Sequence, residues 1–181
     1  MTTKASVAVF GSSQAQRDSP HYRLAAELGA ALARRGAEVR CGGYGGVMAA
    51  VSSGAKAAGG NVVGCTLGWF GETRVPGGHL DEIEEAPDLH ARIECLLRGA
   101  RGAVVLPGGV GTMNELFWVW TLLLFDRDPA PQSLVLLGEP WEELLALLGR
   151  RFEFSEPIRG LVSVARNAED AAEIACGEGE R

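Results

Sequence analysis

Glycines cluster directly after short apolar segments, and this pattern constrains the fold more than any other feature of the chain. Glycine accounts for 25 of the 181 residues. Three small-residue clusters separate a strand-like run from a helix-like run: Gly11-Ser12-Ser13, Gly42-Gly43-Tyr44-Gly45-Gly46 and Pro107-Gly108-Gly109-Val110-Gly111-Thr112. Short apolar runs that alternate with longer helical stretches are typical of an α/β domain with a parallel sheet.

We expect close to seven strand–helix alternations. The predicted strands are 6–10, 38–41, 61–67, 102–106, 134–137 and 161–164, and the predicted helices are 20–35, 47–58, 88–99, one ending near 125, 140–150 and 167–176. Right-handed crossovers place helices on both faces of such a sheet. The prediction is therefore a Rossmann-like doubly wound fold whose sheet is mostly or wholly parallel, with the three clusters in one crevice at the carboxyl ends of the strands.

Local signals mark several boundaries. Ser19 and Pro20 are an N-cap and a first-turn proline for the first helix, and Gly36 is its expected stop. Residues 68–86 are predicted to be irregular, and connections of that length are often lids or binding segments.

Length and charge narrow the classes of protein. A chain of 181 residues is expected to form one domain, 1–181, with residues 177–181 as a frayed tail. The net charge of −6 argues against nucleic-acid or anionic-membrane partners, which select clustered positive charge. No apolar run reaches the roughly 18–20 residues of a membrane helix, and no signal-peptide pattern is visible.

The four cysteines stand far apart and lack zinc-site spacing. Cys41, Cys65, Cys95 and Cys176 contain no CxxC pair. They are predicted to be reduced, mostly buried thiols, which indicates a cytoplasmic protein without a metal site.

The third cluster is a candidate phosphate site. Its glycines allow backbone N–H groups to approach an anion, and the following helix adds its unpaired amides and the positive end of its dipole. No Gly-Lys-Ser/Thr follows, which argues against nucleoside triphosphate hydrolysis, and Gly11-Ser12-Ser13 does not match GxGxxG. We therefore expect no dinucleotide cofactor. The competing interpretation is a tight turn that only packs a strand against a helix.

Glu115 has two interpretations that are not fully exclusive. Thr112 and Glu115 have the spacing of a capping box, in which each side chain satisfies the other's backbone amide. Alternatively, Glu115 lies beside the phosphate site, where a carboxylate can stabilise positive charge at a sugar carbon or activate a water.

Arg92 also has two interpretations. Asp88 stands four residues before it, and an i,i+4 pair of this kind is usually a solvated surface pair. The alternative is a guanidinium that reaches a ligand at the strand ends.

The stretch 116–125 is apolar on all sides. A helix without a polar face is buried all round, and ten residues are too few to cross a membrane. We expect one side to pack on the sheet and the other to form a homodimer interface, although complete burial within one subunit is an alternative.

The sequence as a whole resembles the LOG family of cytokinin-activating phosphoribohydrolases, often labelled "lysine decarboxylase". Residues 107–115 fit PGGxGTxxE, Phe10-Gly11-Ser12-Ser13 is similar to the family's first-strand signature, and residues 42–48 are similar to GGGxxGLM. The resemblance covers about residues 5–175. Two positions differ from the family pattern: Ile93 replaces a lysine, and Asn114 replaces the first glutamate of a Glu-Glu pair.

The resemblance implies a homodimer that cleaves the N-glycosidic bond of a nucleoside 5′-monophosphate (AMP or a cytokinin-type nucleotide) to a free base and ribose 5-phosphate. It implies that Arg92 and Glu115 are the catalytic pair. The implied phosphate and nucleotide ligands are Gly11, Ser12, Gly43, Met48, Gly108, Gly109, Gly111 and Thr112.

Two other functional classes have to be weighed against the hydrolase. Similar Rossmann-like folds resemble molybdenum-cofactor carriers, so a nucleotide- or molybdenum-cofactor-binding module without catalysis is the main alternative. Lysine decarboxylation is disfavoured because that chemistry uses pyridoxal phosphate on a lysine, and neither Lys4 nor Lys56 follows a predicted strand. No cofactor is expected.

Overall fold

A computed structural model describes residues 5–68, 77 and 79–177. The strands are β1 (Ser6–Phe10), β2 (Glu38–Cys41), β3 (Val62–Leu67), β4 (Glu82–Ala86), β5 (Ala100–Val105), β6 (Ser133–Leu137) and β7 (Val162–Ala165). The helices are α1 (Pro20–Arg34), α2 (Val47–Ala57), α3 (Leu89–Leu97), α4 (Val110–Phe125), α5 (Trp141–Arg151), α6 (Glu156–Arg159) and α7 (Ala168–Cys176).

The strands form a single sheet in the order β4-β3-β2-β1-β5-β6-β7, and every pair is parallel. The chain runs outward from β1 through β2 to β4, then returns and runs outward the other way from β5. The strand order therefore reverses between β1 and β5, and a crevice opens there at the carboxyl ends. This arrangement confirms the predicted doubly wound, parallel α/β fold.

Two apolar layers cover the sheet because alternate side chains of each strand point to opposite faces. Val7 and Val9 of β1 pack with α1, α2 and α7. Ala8 and Phe10 pack on the opposite face with α3, α4 and α5. The candidate catalytic residues lie on α3 and α4, so both belong to helices of the same layer.

The predicted ends of the first helix are confirmed. The Ser19 hydroxyl accepts a hydrogen bond from the Tyr22 N–H at 3.2 Å, with Pro20 in the first turn. Gly36 has a φ of +75°, the left-handed conformation that a glycine after a helix adopts without strain.

The prediction that residues 68–86 are irregular was wrong at its end. Residues 82–86 form β4, which pairs with β3 at the edge of the sheet. Its sequence, Glu-Ile-Glu-Glu-Ala, has no apolar alternation. It joins the sheet because Glu84 pairs with Arg40, a buried arginine on β2, and with Arg98. Residues 69–76 and 78, the rest of the expected lid, lie outside the described residues, as does most of the expected tail.

The prediction of four reduced cysteines was also wrong. Cys65 on β3 and Cys95 on α3 form a disulfide with their Cα atoms 6.1 Å apart, whereas Cys41 and Cys176 are free. Thirty residues separate the paired cysteines, and the packing of α3 against β3 brings them together.

The alternative that residues 116–125 are completely buried within one subunit is wrong. Leu116, Val119 and Trp120 face the sheet layer and are buried. The other side is open, with Phe125 64% exposed and Leu124 also exposed. Within residues 5–68, 77 and 79–177, no helix has the length and hydropathy needed to cross a bilayer.

Candidate active site

A cavity of about 270 Å³ lies in the crevice between β1 and β5. This volume is close to the lower limit of about 300 Å³ for small-molecule sites. Its wall combines the residues after β1, the turn after β2, one side chain of α3 and the first turns of α4. The lining residues include Gly11, Ser12, Gly42, Tyr44, Met48, Arg92, Gly109, Gly111, Thr112 and Glu115.

The first turn of α4 presents backbone amides to this cavity. Gly109 is the N-cap residue and supplies no side-chain hydrogen bond, so the first N–H groups of the helix lack a side-chain cap. Gly109, Val110, Gly111 and Thr112 all line the cavity. The arrangement has the geometry of an anion site at a helix N-terminus.

Two backbone hydrogen bonds of Ser12 connect the turn before α4 to α2. The Ser12 N–H donates to the Pro107 carbonyl at 3.2 Å, and the Ser12 carbonyl accepts from the Val47 N–H at 2.9 Å. Ser12 therefore joins the turn before α4 to the beginning of α2. A methyl group on Gly108 would lie 2.2 Å from the Thr112 Oγ1 and 2.9 Å from the Ser12 nitrogen. Gly108 allows this close packing, but it does not line the cavity.

The capping-box interpretation of Thr112 and Glu115 was wrong. The helix begins at Val110 after the Gly109 cap, so Thr112 is its third residue and is itself buried. Glu115 lies one turn further along α4 and lines the cavity.

Arg92 and Glu115 meet inside the cavity. Their closest atoms, Arg92 Nη1 and Glu115 Oε1, are 3.6 Å apart, and each side chain is 12% exposed. The Arg92 Nε donates to the Cys65 carbonyl at 2.8 Å, and Nη2 donates to the Gly42 carbonyl at 3.4 Å. Asp88 caps α3 by accepting from the Ala91 N–H at 2.9 Å. The surface-pair interpretation of Arg92 was therefore wrong.

Burial changes the acidity of Glu115. Desolvation raises its pKa from 4.5 to about 7, although the positive charge of Arg92 acts in the opposite direction. A carboxyl with a pKa near neutrality in a cleft is typical of a functional site, because it can hold or release a proton at working pH.

Three other sequence-predicted residues have clear positions. Met48 and Gly11 lie on the cavity wall. Gly43 does not line the cavity; its φ of +77° shapes the turn, and its Cα packs against β3. Sequence reasoning did not assign roles to Gly42 and Tyr44, although both belong to the glycine cluster that it singled out.

The two departures from the family pattern lie away from the cavity. Ile93 is buried in the apolar layer with Phe10 and Leu116. Asn114 is exposed on α4 and borders a groove formed with Phe117 and Trp118. The cavity wall therefore contains neither position.

A second, larger cavity of about 670 Å³ lies near Trp141. Its three glutamates, Glu139, Glu142 and Glu143, and its arginine, Arg166, are all exposed. In the described part of the chain, no cluster of three or more His, Cys, Asp or Glu side chains is arranged to hold a metal ion. The largely buried Arg92–Glu115 pair distinguishes the first cavity as the candidate active site.

Comparisons with known proteins identify relatives of this chain. A Mycobacterium tuberculosis protein named cytokinin riboside 5′-monophosphate phosphoribohydrolase is 35% identical over 119 residues, which is 65% of this chain and 62% of that protein. A probable enzyme of the same name from Oryza sativa subsp. japonica is 29% identical over 168 residues, or 91% of this chain and 68% of that protein. The match thus spans less than two thirds of the mycobacterial relative.

Solved structures share the fold. The molybdenum cofactor binding protein of Rippkaea orientalis superposes with a TM-score of 0.70 at 23% identity, covering 94% of each chain. The molybdenum cofactor carrier protein of Chlamydomonas reinhardtii also gives a TM-score of 0.70, at 24% identity, over 93% of this chain and 94% of that one. At these identities the likeness concerns the fold alone.

The family model described as "Possible lysine decarboxylase" matches residues 48–175, which include α3, α4 and both candidate catalytic side chains. This chain belongs to that family, which includes the LOG proteins.

Proposed function

We propose that this protein hydrolyses the N-glycosidic bond of a nucleoside 5′-monophosphate, with AMP or a cytokinin-type nucleotide as substrate. The observation that carries the proposal is the largely buried Arg92–Glu115 pair, 3.6 Å apart, in the same cavity as the amide end of α4. The names of the relatives from Mycobacterium tuberculosis and Oryza sativa support the same substrate class.

The phosphate binds at the first turn of α4 in this proposal. The N–H groups around Gly109, Gly111 and Thr112 donate to its oxygens, and Ser12 closes the opposite side. Gly11 and Met48 contact the nucleotide beyond the phosphate, while Gly43 and Gly108 shape the two turns. A phosphate held there places the ribose toward Arg92 and Glu115.

Catalysis then requires stabilisation at both ends of the breaking bond, at the sugar carbon and at the departing base. The bond between C1′ and the base nitrogen breaks, and the bonding electrons leave with the base. The ionised Glu115 stabilises the oxocarbenium-like sugar and orients the attacking water. Arg92 positions the substrate and supports the departing base. Water supplies the new C1′–oxygen bond, and the proton it loses balances the one that the base gains.

Product analysis tests this proposal directly. The protein is incubated with AMP, GMP, CMP, UMP and N6-isopentenyl-AMP, and chromatography follows free base and ribose 5-phosphate. We expect both products in equal amounts from at least one nucleotide. Nucleotide binding without base release would overturn the proposal in favour of a non-catalytic nucleotide- or molybdenum-cofactor-binding module.

The phosphate site is tested by Gly111→Ala. A methyl group on Gly111 meets no atom within 4 Å in the free protein, so the melting temperature should not change. A bound phosphate would occupy the space beside the helix amides, and loss of a charge-assisted hydrogen bond weakens binding about 10- to 100-fold. We expect the Kd for AMP to rise by that factor in calorimetry.

Adenosine, which lacks the phosphate, is the control ligand for Gly111→Ala. Its Kd should stay within about twofold of the wild-type value, because ordinary surface substitutions have effects under about 0.5 kcal/mol. Unchanged AMP binding by the variant would mean that Gly111 belongs to a tight turn without a phosphate function.

We also propose that the protein forms a homodimer through α4. Support comes from the uncovered apolar side of that helix, where Phe125 and Leu124 are exposed beside the half-buried Phe117, Trp118 and Leu122. Apolar surfaces of this kind are typical of interfaces.

Sedimentation velocity should give the mass of a dimer for the wild-type protein and the mass of a monomer for Phe125→Asp. Ile174→Asp, on α7 across the sheet, is the control that should leave the mass unchanged.

A further inference from the structure

Tyr44 is a buried aromatic side chain in a turn otherwise made of glycine. It lies between β2 and α2, is 5% exposed and lines the candidate active site. Turn residues are usually exposed, and a turn rich in glycine does not need an aromatic ring for its own conformation. The burial of Tyr44 therefore reflects contacts made by its ring and hydroxyl.

The hydroxyl group makes two hydrogen bonds to the end of a neighbouring strand. The Leu67 N–H donates to the Tyr44 Oη at 2.9 Å, and the Tyr44 O–H donates to the Leu67 carbonyl at 3.4 Å. Leu67 is the last residue of β3, two residues after Cys65. The ring thus bridges from the turn after β2 to the carboxyl end of the neighbouring strand.

The face of the ring is directed toward Arg92. The Arg92 Cζ lies 5.9 Å from the ring centroid, within the range of a cation–π attraction. Such an attraction strengthens when the charge is removed from water, and the Arg92 side chain is 12% exposed. The carbonyls of Cys65 and Gly42 hold the guanidinium at Nε and Nη2.

We infer that Tyr44 is a positioning residue for Arg92: the face of its ring keeps the guanidinium turned so that Nη1 faces Glu115 and the cavity. This inference rests on the proposed function, in which Arg92 acts on the substrate. The inference gives the aromatic residue of the glycine cluster a role in orienting the arginine.

Two substitutions separate the ring from the hydroxyl. Tyr44→Phe keeps the ring, so kcat should fall by less than about threefold. Tyr44→Leu removes the ring, and loss of a cation–π contact corresponds to a fall of about 3- to 30-fold in kcat. We expect KM for AMP to change by less than about twofold in both variants, because the phosphate is held at α4.

The pH profile supplies a readout that a merely structural role would not move. The positive charge of Arg92 lowers the pKa of Glu115, which burial raises to about 7. A displaced guanidinium lowers that pKa less. The acidic limb of the rate profile should therefore move to higher pH in Tyr44→Leu and stay in place in Tyr44→Phe.

Each outcome bears on the inference. A folded Tyr44→Leu variant with wild-type kcat and pH profile overturns it, and so does an equal loss in Tyr44→Phe, which would assign the effect to the hydroxyl. If Tyr44→Leu does not fold, Tyr44→Met, whose unbranched and flexible side chain adapts to the space left by the ring, replaces it with the same expectations.

Failure of the proposed function is distinguishable from failure of this inference. If the wild-type protein releases no base, the pKa of the Glu115 carboxyl is followed by ¹³C NMR in the wild type and the two variants. A higher pKa in Tyr44→Leu alone supports the positioning role without any turnover. Equal pKa values in all three proteins overturn it.

Discussion

Glu115→Gln should reduce base release about 100- to 10,000-fold, the range typical of losing a group that acts on protons or charge in the transition state. The amide has nearly the same shape but cannot carry the negative charge that stabilises an oxocarbenium-like sugar. The proposed phosphate contacts at α4 are untouched, so AMP should still bind. Single-turnover assays and calorimetry on the same protein measure the two effects separately.

Glu94→Gln is the matched control for this substitution. Glu94 lies on α3, and its carboxylate is exposed and paired with His90. Its replacement removes one negative charge from the same layer without touching the cavity. We expect wild-type rates from this variant. Wild-type rates from a folded Glu115→Gln protein would contradict the role assigned to Glu115.

The pKa of about 7 for Glu115 predicts how the rate and the stability of the wild-type protein depend on pH. The wild-type rate should rise as pH increases through 7, because the ionised form acts. In the unfolded chain the same carboxyl ionises near 4.5. Between these values the folded protein holds a proton that the unfolded chain has lost, so the contribution of Glu115 to stability decreases as pH rises.

The side-chain amide in Glu115→Gln does not titrate. The stability of the variant relative to the wild type should therefore increase as the pH is raised from 5 to 8. Thermal unfolding at both values measures the difference. A melting-temperature difference that is the same at pH 5 and pH 8 would mean that Glu115 has an ordinary pKa.

Gly42→Ala should reduce kcat about 100-fold, since misplacing a catalytic group by about 1 Å can have an effect of that size. A methyl group on Gly42 would lie 2.0 Å from the Arg92 Nη2 and 2.5 Å from the Met48 Sδ. Both atoms belong to long side chains that can move. The expected result is a folded protein in which Arg92 is displaced from Glu115.

Gly45→Ala is the matched control in the same turn. The nearest atom to a methyl group there is the Ser13 carbonyl oxygen, at 3.7 Å, which is an ordinary contact. This variant should keep wild-type rates and a wild-type melting temperature. A Gly42→Ala protein with an unchanged kcat would contradict the requirement for a fixed Arg92 orientation.

Local signals in the sequence were sufficient for most of the architecture. Ser19, Pro20 and Gly36 mark the ends of α1 because capping and positive φ depend on residues within a few positions of the helix end. Strand β4 was missed because its place in the sheet depends on Glu84 meeting Arg40, an interaction between residues 44 positions apart.

The sequence by itself determined the parallel α/β fold and the edge of the sheet where a ligand site belongs, because apolar periodicity and glycine-rich turns are local properties of the chain. Only the tertiary structure decided that Arg92 and Glu115 lie together and that the pKa of Glu115 is raised. Their 3.6 Å separation depends on where α3 and α4 pack on the sheet, and the raised pKa of Glu115 depends on its burial there. The Cys65–Cys95 disulfide and the ring of Tyr44 beside Arg92 have the same origin. Distances between residues far apart in sequence follow from packing, which residue spacing does not specify.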